Sequence, residues 1–569
     1  MIVDARDFPA GHSLEADVCI VGAGAAGITL ALELMGCSLS VVVLESGGFK
    51  EEAQTQALYE GTVADEALHS PINRYRQRLL GGSTTIWGGR CMPFDPVDFE
   101  VRSFVPHSGW PFPFEELEPH YERANRLCEA GEFTYRIEQA CPGATPAMIE
   151  GFSSPHFTSN TLERFSCPTN FGTRYRHKLE AARNVRVIIH ANVTAIALNE
   201  SGTAVTSLDA ATLQGGRFSV KARQYVLAAG GLEVVRLLLA NRDVHKSGIG
   251  NDRDVVGRYY MCHIAGTIGN LEFSGPPQSV HHGYDVSDEG IYCRRRLALT
   301  REAQQQFQLG NFVARLHHPR ITDPAHRTGI LSLLFLAQMF IPYEYGKRLH
   351  GEEKASVGTW LQHVRNVVAD PFYTIAFLWH WLRDRTLQER KFPSVIIRPR
   401  ANRYSLDFHA EQEPNPSSRI TLGAQTDALG VPKLHVDWRY TEGDVRTVCR
   451  SLKLLADEVV RSRVGRFDYD PRAVEKEMTR YGAYGGHHIG TARMGTDAAA
   501  SVVDPDCRVH GVANLFIAGA AVFPTSSQAN PTLTIVAMAL RLAEHLVRVN
   551  SRPLPSIPVA DAAAAMVAS

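Results

Sequence analysis

The sequence predicts an α/β protein: a Rossmann-like, doubly wound domain into which a second, α+β domain with an antiparallel or mixed sheet is inserted. Three observations predict it. Asp17-Val18-Cys19-Ile20-Val21-Gly22-Ala23-Gly24-Ala25-Ala26-Gly27, followed by Val41-Val42-Val43-Leu44-Glu45, reads as strand, glycine turn, helix, strand and acidic tip. A buried strand that ends in glycine returns at Tyr225 to Gly231, where a helix follows, and again at Leu515 to Ala520. Between about Met261 and Tyr481 this rhythm stops, and strand-like and long helical stretches replace it. The expected organisation is a discontinuous dinucleotide-binding domain over 1–260 and 485–552, a substrate-binding domain over 261–484, and a mobile Pro- and Ala-rich tail over 553–569.

In the first βαβ unit (17–48), Gly22 permits the tight turn, Gly24 lets backbone approach a pyrophosphate, and Gly27 lets the helix pack close to the sheet. Ala25 and Ala26 open that helix, whose positive end faces the phosphates. Glu45 stands where a carboxylate can accept hydrogen bonds from both ribose hydroxyls and would repel a 2′-phosphate. On this motif alone, an NAD-dependent dehydrogenase is a rival reading. The small residues around Trp87 (Leu80-Gly81-Gly82-Ser83-Thr84-Thr85-Ile86-Trp87-Gly88-Gly89-Arg90) suit a backbone laid against a flat ligand, which makes Gly81, Gly82, Ser83, Trp87 and Gly88 binding candidates. Trp110-Pro111 leads into a helix over 115–129, and 133–170 reads as irregular. Strands follow at 184–189 and 193–198, the latter opening on the candidate Val193. Ala229 and Gly230 precede a helix over 232–240. In the middle block, strands are expected at 405–411, 418–422 and 434–438, with helices near 330–385 and 441–462. Gly519 and Ala520 end the last strand, and Asn530-Pro531 starts a helix, Thr532 to Val547, at whose first turn a proline is well placed.

The 569 residues include 44% apolar and 21% charged, with a formal net charge of −1. That is ordinary for a folded protein and offers no field to recruit nucleic acid. The tract Arg294-Arg295-Arg296 reads as a solvated face. Ten scattered cysteines, with no CxxC and no CxxCH, argue against a disulfide framework, a zinc site and c-type haem; no metal is expected. The start carries no secretory pattern, so a cytoplasmic setting is expected, with export bound to a signal-carrying partner as the alternative. No segment reaches the ~18 to 20 apolar residues of a spanning helix. The apolar stretches Gly329 to Tyr343 and Phe372 to Leu382 read as buried core helices; the competing reading of 329–382 is a membrane-surface or partner-docking face.

Near the C-terminus, Gly485-Gly486-His487-His488-Ile489-Gly490-Thr491-Ala492-Arg493-Met494-Gly495 pairs imidazoles with glycines. Ser526-Ser527-Gln528-Ala529-Asn530-Pro531-Thr532-Leu533-Thr534 follows. A histidine can accept a hydroxyl proton near neutral pH, and an asparagine can anchor the same hydroxyl. The N-terminus of the next helix, at Pro531 and Thr532, points a positive dipole at what lies before it. The plainer reading is a pair of loop histidines satisfied by backbone.

In order and number these motifs resemble the glucose–methanol–choline (GMC) flavoprotein oxidoreductases, over nearly the whole chain. Val256-Gly257-Arg258 and Glu411-Gln412-Glu413-Pro414-Asn415-Pro416-Ser417-Ser418-Arg419 add to the resemblance, and the Glu411 to Arg419 stretch is similar to the pyranose- and glycoside-oxidising branch. The resemblance implies bound FAD in the first domain and oxidation of CH–OH to C=O. It assigns the base to His487, four residues before Thr491, and its partner to Asn530. His488 is the rival base, with a side chain expected to face away. Hydride would pass to flavin N5, and oxygen, a quinone or a redox partner would take the electrons. Several relatives link FAD covalently through a histidine where this chain has Ile86, so non-covalent FAD is expected. The leading reading is oxidation of a sugar or glycoside hydroxyl. The alternatives are oxidation of simple, aromatic or long-chain alcohols, with the apolar insert lining a channel, and a flavin-binding subunit without turnover.

Overall fold

A computed structural model describes residues 1–144, 147–340, 355–394, 396–397, 402–479 and 486–551. The tail assigned to 553–569 lies outside them.

The core is an eight-stranded sheet. Its spatial order is Ile2–Asp4, Val185–Ile189, Val41–Leu44, His12–Val21, Arg217–Leu227, Val205–Ala211 and Asn192–Leu198, and Leu515–Ile517 pairs with the end of Arg217–Leu227. The first five strands and Leu515–Ile517 run parallel; the other two form an antiparallel meander. Val41–Leu44 is apolar throughout and wholly buried, as expected of a parallel strand covered on both faces. The register aligns Leu44, Val21, Leu227 and Ile517 at one edge. Three of those four strand ends run into glycine turns, which brings Gly22, Gly230 and Gly519 to one side of the sheet. On one face the Ala25–Glu33 helix packs against Thr532–Ser551, which packs in turn on Phe114–Leu127. The Phe114–Leu127 helix stops short of the expected 129 because Glu129 takes a left-handed conformation, φ 53°.

A six-stranded antiparallel sheet, ordered Gly465–Asp468, Ile264–Phe273, Arg403–Ala410, Phe312–His317, Leu297–Leu299 and Phe157–Thr158, forms the other body. A four-stranded sheet of Tyr284–Val286, Tyr292–Arg295, Leu162–Phe165 and Arg90–Cys91 lies beside it. The strands Arg419–Thr426 and Pro432–Asp437 instead pair with each other, Pro432–Asp437 pairs in turn with Gly61–Val63, and both pack on the Gly230–Ala240 helix. The Glu442–Arg461 helix opens on a capping box between Thr441 and Asp444.

Three expectations need correction. Residues 133–170 are not irregular throughout, since Leu162–Phe165 is a buried central strand. Its charged pair Glu163-Arg164 hides it from an apolar-pattern search. The arginine tract is no solvated face: Arg294, Arg295 and Arg296 are all buried. Arg294 donates to the Leu316 carbonyl at 2.6 Å, Arg295 pairs with Asp285 at 3.2 Å, and Arg296 donates to Gln528 Oε1 at 3.1 Å. Those partners come from other segments, which a local window cannot show.

The third correction concerns the apolar insert. Gly329–Leu336 is a core helix with Ile330, Leu331 and Phe335 buried, and the remainder of that stretch beyond Phe340, including Tyr343, lies outside the described residues. Pro371–Trp381 is not a core helix: Phe372 is 88% exposed and Trp379 64%. Among the described residues it packs chiefly on Gly329–Leu336, the following turn and the neighbouring Val357–Ala369 helix, and most of its apolar side chains are exposed. Among the described residues, no helix is long and apolar enough to cross a membrane.

Candidate active site

A cavity of about 520 Å³ opens at the aligned strand ends and extends to the six-stranded sheet. Gly22 has φ 102°, and a Cβ there would meet the Ala228 carbonyl oxygen at 2.7 Å. Gly27 packs against the turn itself, where an added Cβ would sit 1.9 Å from the Gly22 oxygen. Gly24 caps the Ala25–Glu33 helix without a side-chain cap, and an added Cβ there meets no protein atom within 4 Å. The first turn, with Ala25 and Ala26, therefore presents bare N–H groups to the cavity. Glu45, 5% exposed, accepts from the backbone N–H of Ala23 at 2.8 Å and of Gly47 at 2.9 Å. Burial raises its pKa, against those hydrogen bonds.

Gly82, Ser83, Trp87 and Gly88 line the next part of the wall, as does Ile86. Trp87 Nε1 donates to the Thr169 carbonyl at 2.9 Å, which fixes the indole. Gly81 has φ 100° and, like Gly27, does not line the cavity; a Cβ there would meet the Gly172 amide nitrogen at 2.7 Å. At both glycines neighbouring backbone leaves no room for a Cβ. Val193, Ala229 and Gly230 line the wall from the sheet, and Gly519, Ala520, Pro531 and Thr532 from the C-terminal segment. At Gly230 and Gly519, as at Gly24, an added Cβ would project into open space. Pro531 immediately precedes the Thr532–Ser551 helix, and its carbonyl accepts from Ile535 N–H at 2.8 Å.

Imidazoles dominate the far end. His487 Nε2 lies 3.4 Å from Asn530 Nδ2, and the His487 ring stands edge-on to His263, with centroids 4.7 Å apart at 79°. His488 does not face away: it also lines the cavity. Its tautomer follows from a chain of hydrogen bonds. His69 Nδ1 donates to the Ser70 carbonyl at 2.6 Å, so His69 Nε2 accepts from the Tyr260 hydroxyl at 2.8 Å. That hydroxyl has spent its proton and accepts from His488 Nδ1 at 2.7 Å. His488 Nε2 is thus unprotonated, and burial pushes the His488 pKa well below the ordinary value.

Several wall residues carry no motif that sequence reasoning could single out. His263, buried, donates from Nδ1 to the Ser527 carbonyl at 3.1 Å, and burial lowers its pKa to about 4. His409 and Asp407 alternate along Arg403–Ala410, so their side chains share one face, and both line the cavity. That alternation is visible in the sequence; His263, just before its strand, leaves no signal. At the opposite end, Arg78 and Arg76 pair with Glu233 at 2.6 and 3.3 Å and lie over the Tyr59 ring. Burial pushes the Glu233 carboxyl up, but Arg78, Arg236 and Arg76 outweigh it and hold it below its usual range.

Two family models match the chain: "FAD dependent oxidoreductase" over residues 17–331 and "GMC oxidoreductase" over residues 414–539. The large subunit of fructose dehydrogenase from Gluconobacter japonicus is 25% identical, covering 94% of this chain and 98% of its own. C-glycoside 3-oxidase from Microbacterium trichothecenolyticum is 36% identical over 25% of this chain and 26% of its own. Among solved structures, pyridoxine 4-oxidase from Mesorbium loti superposes with a TM-score of 0.55 at 18% identity, over 94% of this chain and 99% of that one, a likeness of fold.

Proposed function

The chain belongs to the FAD-dependent oxidoreductases and ends in the C-terminal segment of the GMC group, and on that premise we propose that it oxidises a sugar or glycoside hydroxyl to the carbonyl, with His487 as proton acceptor and Asn530 as orienting partner. The residues present fit FAD. Gly24, Gly230 and Gly519 leave ligand-sized space where side chains would stand. Buried polar atoms of the lining, Asn192 Oδ1, His488 Nε2 and Asn530 Oδ1, have no hydrogen-bond partner among the described residues. FAD would be held by the Gly22–Gly27 turn and Glu45 at one end and by the Trp87 loop and the Thr532 helix terminus at the other. When bound, FAD supplies a two-electron acceptor for the hydride of the carbinol carbon.

The observation that carries this reading is the convergence of His487 Nε2 and Asn530 in the cavity that the glycine turns line. Asn530 holds the hydroxyl, and His487 takes its proton at Nε2. Such orientation can contribute about 7–11 kcal/mol in favourable cases, and a placed base a further ~10² to 10⁴ in rate. The polar wall of His263, Asp407 and His409 suits a polyhydroxylated donor better than a simple alcohol. The apolar side chains of Phe372–Leu382, which a greasy channel would use, are absent from the lining. Oxygen, a quinone or a redox partner completes the cycle. The ten cysteines are all free, and a cytoplasmic setting is part of the proposal.

Anaerobic titration of the purified holoprotein tests the reading. Sugars or glycosides are expected to bleach the flavin band; bleaching by alkanols or aryl alcohols alone would move the substrate class, and no bleaching by any CH–OH donor would remove the proposed chemistry. Ile86 offers no nucleophile for the covalent link that several relatives make at that position, and non-covalent FAD is part of the proposal. Acid precipitation is therefore expected to leave the yellow colour in the supernatant, and colour retained in the pellet refutes it.

A further inference from the structure

Thirteen of the nineteen exposed large apolar side chains among the described residues lie between Met339 and Leu387. They are ordered, not scattered. On Val357–Ala369, the residues Val357, Leu361, Val364 and Val368 form an i, i+4, i+7, i+11 stripe that faces outward, the reverse of the usual amphipathic arrangement. On Pro371–Trp381 and its first following residue, Phe372, Tyr373, Ile375, Leu378, Trp379 and Leu382 are all exposed. At 3.6 residues per turn these positions span about 220° of the helix. A flat protein partner covers one face of a helix; a fluid apolar phase can wrap more than half of it.

The surrounding charge points the same way. Between 355 and 394 there are five basic residues, Arg365, Arg383, Arg385, Arg390 and Lys391, against Asp370, Asp384 and Glu389. Asp384 is buried and bonded to Arg383. The segment is thus net positive in a chain of net charge −1. Exposed Trp and Tyr beside arginines, around an apolar surface, are the groups that settle at a lipid–water boundary. Arg385 and Ser394 line the cavity, so this surface borders its mouth.

We propose that the Val357–Ala369 and Pro371–Trp381 helices form a peripheral docking surface for an anionic phospholipid bilayer, with the cavity mouth beside the membrane. No helix crosses the bilayer; the two lie in its boundary layer.

The FAD-loaded protein is sedimented with vesicles of phosphatidylcholine, with and without phosphatidylglycerol. Wild type is expected to pellet with the anionic vesicles, less so at high salt. Phe372→Glu combined with Trp379→Glu is expected to lower the bound fraction by about tenfold or more while keeping the flavin band. If that variant loses flavin, Val364→Glu with Val368→Glu on the other helix reads the same surface. Blue-shifted tryptophan fluorescence on adding vesicles, absent in Trp379→Phe, places that side chain in lipid. Wild type that stays in the supernatant with every vesicle overturns the proposal, as does a variant that pellets equally well. A wild-type dimer that these substitutions dissociate, without vesicle binding, also overturns it and makes the patch a contact between copies.

Discussion

Replacing His487 by Ala is expected to slow flavin reduction by a CH–OH donor by ~10² to 10⁴, while FAD remains bound. The two effects separate because different parts of the chain carry them. On the proposed reading FAD would be held by backbone at Gly22, Gly24 and Gly230 and by Glu45, none of which depends on the 487 side chain. Proton acceptance needs an imidazole beside Asn530, and His487 stands there with Nε2 3.4 Å from the amide. On the proposed reading His488 is the poorer base, because burial lowers the affinity of its unprotonated Nε2 for a proton; its Nδ1–H serves the Tyr260 hydroxyl. His488→Ala should therefore leave most of the rate while disturbing the Tyr260–His69 chain. Stopped-flow bleaching under anaerobic conditions checks both variants. An unchanged rate in His487→Ala would remove that residue from the role, and a large loss in His488→Ala alone would transfer the role to its neighbour.

Glu163→Gln is expected to cost about 3–5 kcal/mol of stability. Glu163 and Arg315 are both fully buried and in direct contact. Arg90 lies 3.5 Å from the same carboxylate, and Arg315 reaches Asp407 of the cavity wall at 3.5 Å. Removing the charge of Glu163 leaves two buried or nearly buried guanidiniums facing one remaining carboxylate. The pH dependence has a definite sign. Burial alone pushes Glu163 up, but Arg315 and Arg90 outweigh it and hold the carboxyl at about 2. The unfolded value is about 4.3. A depressed native pKa contributes stability that is fully present above the unfolded value and is lost as pH falls from there towards the native one. Denaturant melts at neutral pH and in this acid window read the effect. Wild type should lose this contribution on acidification, and Glu163→Gln should lack that part of the slope. Equal midpoints for the two proteins at neutral pH would show that the network does not hold the sheet.

The parts of the site that are legible in the sequence are those written in short-range order. Gly22, Gly24 and Gly27 follow an apolar strand at fixed spacing, and the structure turns the chain there for the steric reasons the spacing implies. Gly27 packs against the turn as its spacing implies, whereas Gly81, a binding candidate, lies off the cavity wall against Gly172, because spacing identifies a tight turn without saying which of its glycines meets open space. His263 is invisible to a sequence search: its partner Ser527 is 264 positions away, and a lone histidine before a strand has no local pattern. The arginine tract misleads for the same reason, since Asp285, Leu316 and Gln528 satisfy it from other segments.

By itself the sequence determined the nucleotide-binding half and the identity of the chemical groups at 487 and 530. Strand and helix periods and glycine turns act over a few residues, and those are encoded locally. Tertiary structure alone decided which imidazoles share a cavity, how Arg315 and its carboxylates are paired, and that Phe372 to Leu382 faces outward. Each of these depends on what packs against a side chain from a remote part of the chain, and no window of neighbouring residues carries that information.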